Sequence, residues 1–403
     1  NLIKEDKILS GHDISSGGLI TSLLEMCFTD NNLGMEINLT SLNEEDIIKI
    51  LFSENSGIIF QSKLKLNEFF DKEKIAFHEI GKVINSHHLN IKNYNDSYSL
   101  DISDYRDTWF STSYHFDKIQ TKNKLANKRF ENYKKQPLEF TFPKIFTGKF
   151  LNNTKKINAA IIREKGSNSE REMAYMMSLS GFNVKDVHMT DIISGRENLD
   201  DIKLLVAVGG FSNSDVLGSA KGWAGSFIYN KKAKQTLNNF FNRNDSMSLG
   251  VCNGCQLFIE LGLINYDHDL KPKMEYNDSG KFECIFTSVK IQDSPSIMMK
   301  GMEGSNLGVW AAHGEGKFIL PYDESKYSIP AKYSYNEYPA NPNGSNYNAA
   351  MLTSNDGRHL VMMPHIERSI YPHNWAYYPD NRKDEVSPWI ITFDNAYNWL
   401  INK

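Results

Sequence analysis

The segment "KLLVAVGG", residues 203 to 210, is apolar from Leu204 to Val208 and stops at a glycine pair. A strand with apolar residues on both faces has to be covered on both faces, as in a parallel sheet flanked by helices. The neighbouring sequence has the same texture. "INAAIIR" (157–163) and "FNVKDVHM" (182–189) read as strands before it, and "MSLGVC" (247–252) as a strand after it. "SNSEREMAYMMSLSG" reads as a helix, with Ser167, Asn168 or Ser169 as N-cap, acids in the first turn and Gly181 as terminator. Its Met173, Met176, Met177 and Ser180 fall on one face, the pattern of core packing. "NGCQLFIELGL" opens another helix directly after the fourth strand. Strands that alternate with helices need right-handed crossovers, so residues 156–403 are expected to form an α/β domain: a doubly wound, mostly parallel sheet with flanking helices.

The preceding sequence is different. Residues 1–116 mix helix and strand signals and are expected to form an α+β region. "GGLITSLLEMCF" puts Leu19, Leu23, Met26 and Cys27 on one helical face, and "SGIIFQS" reads as a short buried strand. Residues 118–135 carry seven Lys/Arg and one acid, Glu131. That run reads as a solvated helix or linker, with contact to an anionic partner as the alternative. Pro137 and Pro143 in "QPLEFTFP" suggest an extended connector. The expected divisions are therefore 1–116, a basic and proline-containing linker over 117–155, and 156–403.

Composition excludes several classes. A net charge of 45 − 49 = −4 argues against a general nucleic-acid binder. No apolar run approaches the length of a membrane span. Four cysteines (Cys27, Cys252, Cys255, Cys284) are too few for a disulfide framework in 403 residues, and a reducing, cytoplasmic setting fits best. The start, "NLIKEDKILSGHD", is neither a methionine start nor a signal peptide, and reads as a piece of a longer polypeptide.

The chemistry concentrates in "SLGVCNGCQLF". A strand runs into Cys252 with Gly250 and Gly254 on either side, and a helix follows, the pattern of a nucleophile elbow. The helix N-terminus favours a thiolate there. Cys252 and Cys255 also have C-x-x-C spacing, so a redox pair and a metal site are competing readings. Three strands precede this one in the same domain, and no second Cys or His pair completes a zinc site. The nucleophile reading is favoured, with Cys255 as a packed small residue and no redox cofactor. A cysteine nucleophile needs a base and something to orient it. "HLVMMPHIERS" offers His365 at a strand end, with Glu367 two residues on; a surface His–Glu pair is the alternative. For an oxyanion hole, the backbone N–H groups of Gly210, Phe211 and Asn253 are the candidates, against a plain strand-to-helix turn at Gly209-Gly210. In "GHDISSGGL", Asp13 and Ser15 before a Gly-Gly pair suit a Mg²⁺–phosphate site, or equally a helix cap. "AAHGEGKF" (His313, Glu315) and "YPANPNGS" read as turn-rich structural segments.

Those motifs, in this order, resemble the C-terminal third of the large single-chain phosphoribosylformylglycinamidine synthases of purine biosynthesis. The resemblance covers nearly the whole chain, through "GHDISSGGLITSLLEM", "EREMAYMMSLSGFNVKDVHMTDI", "GGFSNSDVLGSAKGWAGSF", "GVCNGCQLF", "AAHGEG", "YPANPNGS" and "MMPHIERS". It implies a class I glutamine amidotransferase domain from about 156, after the second half of an aminoimidazole ribonucleotide synthetase-like domain. It also implies Cys252 as nucleophile, His365 as base, Glu367 as the residue orienting that base, and Asp13 and Ser15 at a Mg²⁺ and nucleotide-phosphate site. The partners it implies are glutamine, and formylglycinamide ribonucleotide and ATP through upstream domains. The sequence departs from the usual "GGFSYGD" and "PHPER" at Asn213, Ser214 and Ile366 without losing a reactive group. A freestanding Cys-His-Glu hydrolase and a non-enzymatic module that kept the fold are the rival expectations.

Overall fold

The computed structural model describes every residue except 1, 30, 31, 136, 137 and 152. Gln136 and Pro137 of the expected connector thus lie outside the described residues. The chain divides into two compact units, residues 1–116 and 117–403.

The first unit is α+β. Its strands are β1 (Ser10–Ile14), β2 (Gly34–Asn38), β3 (Gly57–Gln61), β4 (Gly81–Ile84), β5 (His88–Asn93) and β6 (Asp96–Asp101). Its helices are α1 (Gly18–Cys27), α2 (Ile47–Phe52) and α3 (Asn67–Glu73), followed by α4 (Ile102–Gln120), which contains the boundary. β1 and β3 form an antiparallel pair; the other four strands form a sheet in the order β4-β2-β5-β6, in which β2 and β5 run parallel. Leu19, Leu23 and Cys27 of α1 are buried as their spacing predicts, together with Ile20 and Leu24, against Leu39, Leu89, Ile91 and Ile102. Met26 is only partly covered. The strand in "SGIIFQS" is not buried: Ile58 is 75% exposed. It sits opposite Asp13 in a two-stranded ribbon, on the side where the Asp13 carboxylate also faces water.

The second unit opens with α5 (Leu125–Asn132). Its main sheet uses β7 (Ile157–Arg163), β8 (Phe182–His188), β9 (Leu204–Ala207) and β10 (Met247–Val251). A smaller antiparallel layer then interrupts the α/β rhythm, with β11 (Lys273–Glu275) paired to β14 (Lys317–Ile319), and β12 (Glu283–Ile291) between β13 (Asn306–His313) and β15 (Ala331–Tyr333). β16 (Met351–Thr353) and β17 (His359–Met362) return to the main sheet, whose order is β16-β17-β10-β9-β7-β8. All its neighbours are parallel except β16 and β17. The helices are α6 (Glu170–Leu179), α7 (Met189–Ser194), α8 (Lys221–Ile228), α9 (Lys231–Asn242), α10 (Asn253–Glu260) and α11 (Ile390–Leu400). α6 starts after Ser169 and is ended by Gly181 at φ 101°, which only glycine adopts without strain; Met173, Met176, Met177 and Ser180 are fully buried.

The chain runs from β7 to β8 at one edge, then returns to β9 on the other side of β7. Ligands of such sheets bind outside the carboxyl ends of the strands where the order reverses. At that place the loops after β7 and β9 are bridged: Asn168 N–H donates to Gly209 O and Phe211 N–H to Gly166 O, both at 2.9 Å.

The basic run 118–135 is not simply solvated. Arg129 pairs with the buried Glu283 at 2.7 Å and bonds the Tyr338 hydroxyl, while Asn132 Nδ2 donates to Glu337 at 2.9 Å. Charge counting assigns such a run to water because it cannot see an acid 154 residues away. No helix among the described residues is long and apolar enough to cross a membrane.

Candidate active site

Strand register builds the site. Gly250 of β10 is level with Ala207 of β9 and Val361 of β17, and all three strands point the same way. Two residues further on, Cys252 falls level with Gly209 and Met363, and His365 follows two residues after Met363. Three loops thus meet at one sheet edge. The juxtaposition is tight: a Cβ on Gly209 would stand 2.8 Å from His365 Cε1 and 3.4 Å from Cys252 Cβ.

Cys252 has φ 51° and ψ −105°, a strained conformation for a residue with a side chain, and heads α10. The flanking glycines make the turn possible. A Cβ on Gly250 would lie 2.6 Å from Gly254 O, and one on Gly254 would lie 2.0 Å from Ala207 O. The strand–turn–helix is therefore closer-packed than any side chain permits. The Cys252 backbone N–H donates to Met362 O at 2.8 Å, which ties the elbow to β17. Its Sγ faces Ala312 O at 3.6 Å. Cys255 is completely buried, and burial pushes its thiol well above the ordinary range, so it is a neutral packed residue. All four cysteines are free.

His365 is held by Trp310 O, which accepts from its backbone N–H at 2.7 Å, and a short 3₁₀ turn, Ile366–Arg368, brings Glu367 back to it. Of the two geometries open to a residue pair at i and i+2, the turn is the one adopted. His365 Nδ1 donates to Glu367 Oε1 at 2.6 Å, and both side chains are buried. Nε2 is buried and without a hydrogen bond among the described residues. Burial opposes protonation of His365, but Glu367 first and then Cys252 outweigh it and push its pKa up to about 10. Burial likewise raises the Glu367 carboxyl, and His365 together with Arg368, 3.8 Å away, brings it below its usual range. Both shifts favour the imidazolium–carboxylate form of the pair, and Nε2 is its ring nitrogen left without a hydrogen bond among the described residues.

The oxyanion candidates divide. Phe211 is a correction: its N–H is spent on Gly166 O. The N–H of Gly210 stays outside that bridge, and Asn253, as the first residue of α10, has no intrahelical acceptor for its N–H. Gly210 itself, at φ 109°, leaves no room for a side chain against Asn168 N and Gly166 O.

Residue types alone did not single out the amides around this centre. Asn253 Oδ1 accepts from Ser212 N–H at 3.1 Å, and its Nδ2 donates to Gln256 Oε1 at 3.0 Å. Gln256 Nε2 donates to Glu315 O at 2.7 Å. His313 is fully buried; burial first, then the charge of His365, hold it down to about 3, so it is neutral. The one sequence signal for Gln256 was its position, one helical turn beyond the nucleophile.

Asp13 and Ser15 belong to the first unit. The Asp13 side chain is 80% exposed and its nearest partner is His12, at 3.9 Å. At the start of α1 the Gly17 N–H already donates to Glu54 Oε1 at 2.9 Å. Among the described residues no group of three or more His, Cys, Asp or Glu could hold a metal ion. Mg²⁺ at nucleotide sites keeps several waters and takes one or two carboxylates together with phosphate oxygens, and the exposed Asp13 carboxylate offers one such donor.

A parallel sheet with a cysteine elbow at its carboxyl edge, facing a buried His–Glu pair, defines a class I glutamine amidotransferase fold. The chain belongs to the family of CobB/CobQ-like glutamine amidotransferase domains, whose model matches residues 156–400, and residues 1–92 match the C-terminal domain of AIR synthase related proteins. Over 99% of its length the chain is 38% identical to a probable phosphoribosylformylglycinamidine synthase, chloroplastic/mitochondrial, of Arabidopsis thaliana, covering 30% of that protein. It is 36% identical over 98% of its length to the phosphoribosylformylglycinamidine synthase of Dictyostelium discoideum, and 35% over 99% to that of Homo sapiens, covering 33% of each. The chain thus spans about a third of the length of the curated relatives it matches. Among solved structures, PurLQS from Thermotoga maritima aligns with a TM-score of 0.47 and 22% identity, over 61% of this chain and 98% of that one.

Proposed function

We propose that residues 156–403 hydrolyse glutamine through Cys252, His365 and Glu367, and that the ammonia serves a phosphoribosylformylglycinamidine synthase of which this chain is a part. The observation that carries the reading is the buried His365–Glu367 bond at 2.6 Å beside a strained cysteine elbow. The Cys252 thiolate attacks the carboxamide carbon, and the C=O π electrons move to oxygen. The N–H groups of Gly210 and Asn253 stabilise that oxyanion. The oxyanion collapses, the C–N bond breaks, and Nε2–H of His365 passes its proton to the departing nitrogen, giving ammonia and a γ-glutamyl thioester. Neutral His365, oriented by Glu367, then takes a proton from water as the water attacks the thioester. Glutamate leaves, and the thiolate–imidazolium pair is restored.

In the longer protein, ATP activates the formylglycinamide amide oxygen and ammonia displaces it, yielding the amidine. Bound Mg²⁺ would neutralise charge on that nucleotide, with Asp13 as this chain's carboxylate toward the metal and Ser15 facing the phosphate. The four free cysteines fit a reducing, cytoplasmic compartment. Glutamate release by the parent chain and by Cys252→Ala tests the reading. A clear difference supports it, and equal rates overturn it.

A further inference from the structure

The antiparallel insertion carries a buried polar cluster that the hydrolysis itself leaves unused. Its centre is Asn277, which is 2% exposed and has every hydrogen-bonding position of its amide filled. Nδ2 donates to Lys281 O at 3.1 Å and to His313 O at 2.7 Å. These two carbonyls fix the amide's orientation, so Oδ1 must accept, and it does so from Gly316 N–H at 3.0 Å and His313 Nδ1 at 3.2 Å. Neutral His313 is thereby set as the Nδ1–H tautomer, with Nε2 turned to Asn343 Nδ2 at 3.5 Å. Asn277 thus fixes both ends of the turn His313–Gly316. Inside that turn, Glu315 O receives Gln256, Gln256 receives Asn253, and Asn253 receives the N–H of Ser212 in the loop after β9. An unbroken series of oriented amides runs from Asn277 to the Gly210–Ser212 backbone beside Cys252.

The other side of Asn277 is held by the basic connector. Lys122 N–H donates to Ser279 O at 2.8 Å and Asn123 Nδ2 to Asp278 O at 2.7 Å. The stem of Lys122 lies against Gly280, leaving no space for a Cβ there. Lys281 pairs with Asp117, and Arg129 with Glu283, whose other oxygen accepts from the Tyr338 hydroxyl at 2.7 Å. Residues 278–281 and Glu283 are therefore clamped by residues 117–129.

We infer that the connector 117–132 is a positioning element of the glutaminase centre, acting through Asn277 and the His313–Gly316 turn on the loop that supplies the Gly210 N–H. This rests on the glutaminase reading above. Asn277 touches no reacting atom; it sets where Gln256, Asn253 and the loop after β9 stand. A displaced donor at an oxyanion weakens transition-state binding while leaving ground-state binding in place, so its effect falls on kcat.

The test is a double-mutant cycle on the whole chain, read as glutamate release. Arg129→Ala lowers kcat about three- to tenfold and Asn277→Ala about tenfold or more, each with KM within about twofold of the parent. The combined variant is no slower than Asn277→Ala within about twofold, because both cuts fall on one series of contacts. Alkylation of Cys252 by iodoacetamide keeps its parental rate in all three. Effects that multiply, an Arg129→Ala enzyme within about twofold of the parent, or losses confined to KM overturn the proposal. Should Asn277→Ala not fold, Asn277→Asp takes its place in the same cycle, since it keeps the acceptor for Gly316 and loses both donated bonds. A parent no faster than Cys252→Ala overturns the glutaminase reading and this proposal with it; a parent that is faster, with multiplicative losses, overturns this proposal alone.

Discussion

Replacing Glu367 by Gln is the sharpest single test of the His365–Glu367 pair. The substitution keeps volume and hydrogen-bonding capacity and removes one charge from a fully buried contact. His365 stands at about 10 against an ordinary 6.5, with burial pulling it down and Glu367 the largest influence raising it. Without the carboxylate, burial opposes the charged ring with only Cys252 left to favour it, and the pKa of His365 falls. Weakening the acid that protonates the leaving nitrogen lowers kcat about 10²-fold or more at neutral pH, the size of a general acid–base contribution. The pH dependence changes as well. In the parent, His365 keeps its proton from neutrality until pH rises through about 10, so it imposes no loss of rate across the neutral range. In Glu367→Gln the rate falls as pH rises through neutrality, because the acid that protonates the leaving nitrogen is lost there. The assay is steady-state glutamate release from about pH 6 to 9, with folding checked by circular dichroism. A variant within about tenfold of the parent and with the parent's pH profile would refute the assignment of the charge to Glu367.

Three further outcomes follow from packing and burial. Gly254→Ala puts a methyl 2.0 Å from Ala207 O, a backbone atom of the central sheet that cannot yield, so denaturant melts should record a loss of about 3 kcal/mol or insoluble expression. Cys255→Ala removes a buried thiol that is neutral and off the reaction path; glutaminase activity should stay within about threefold while stability drops by about 1 kcal/mol. The Asp394 carboxyl is pushed up to about 6 by burial, with Ser180 opposing. The folded form holds its proton through the window between the ordinary 3.8 and about 6, so this group makes stability fall as pH rises through that window. Asp394→Asn should therefore raise the melting temperature at pH 7.5, reflecting a stability gain of no more than about 3 kcal/mol, and give no gain below about pH 4; an unchanged melting temperature at both values would count against the buried-acid account.

The elbow at Cys252 was legible because its signals are local. An apolar strand, a glycine on each side of the nucleophile and a helix opening directly after it are properties of consecutive residues, set by backbone sterics and strand coverage. The same holds for α6 and its Gly181 stop, and for a His–Glu pair only two residues apart. Sequence alone thus pointed to an α/β domain, an elbow at Cys252 and His365 as the candidate base. It could not bring the two together. The sheet order does that, by laying β17 against β10 so that Ser248 and His359, 111 residues apart, stand side by side. Nor could it tell which backbone donors are free: Phe211 looked equal to Gly210 until the loop after β7 claimed its N–H. The pairing of Arg129 in the basic run 118–135, and the partners that bury the turn-rich segments around His313 and Asn343, were out of reach for one reason. Charge counts and turn propensities describe a residue's preference for water or for a local bend. The acids and amides that satisfy Arg129, His313 and Gln256 come from distant strands, and packing alone brings them within hydrogen-bond reach.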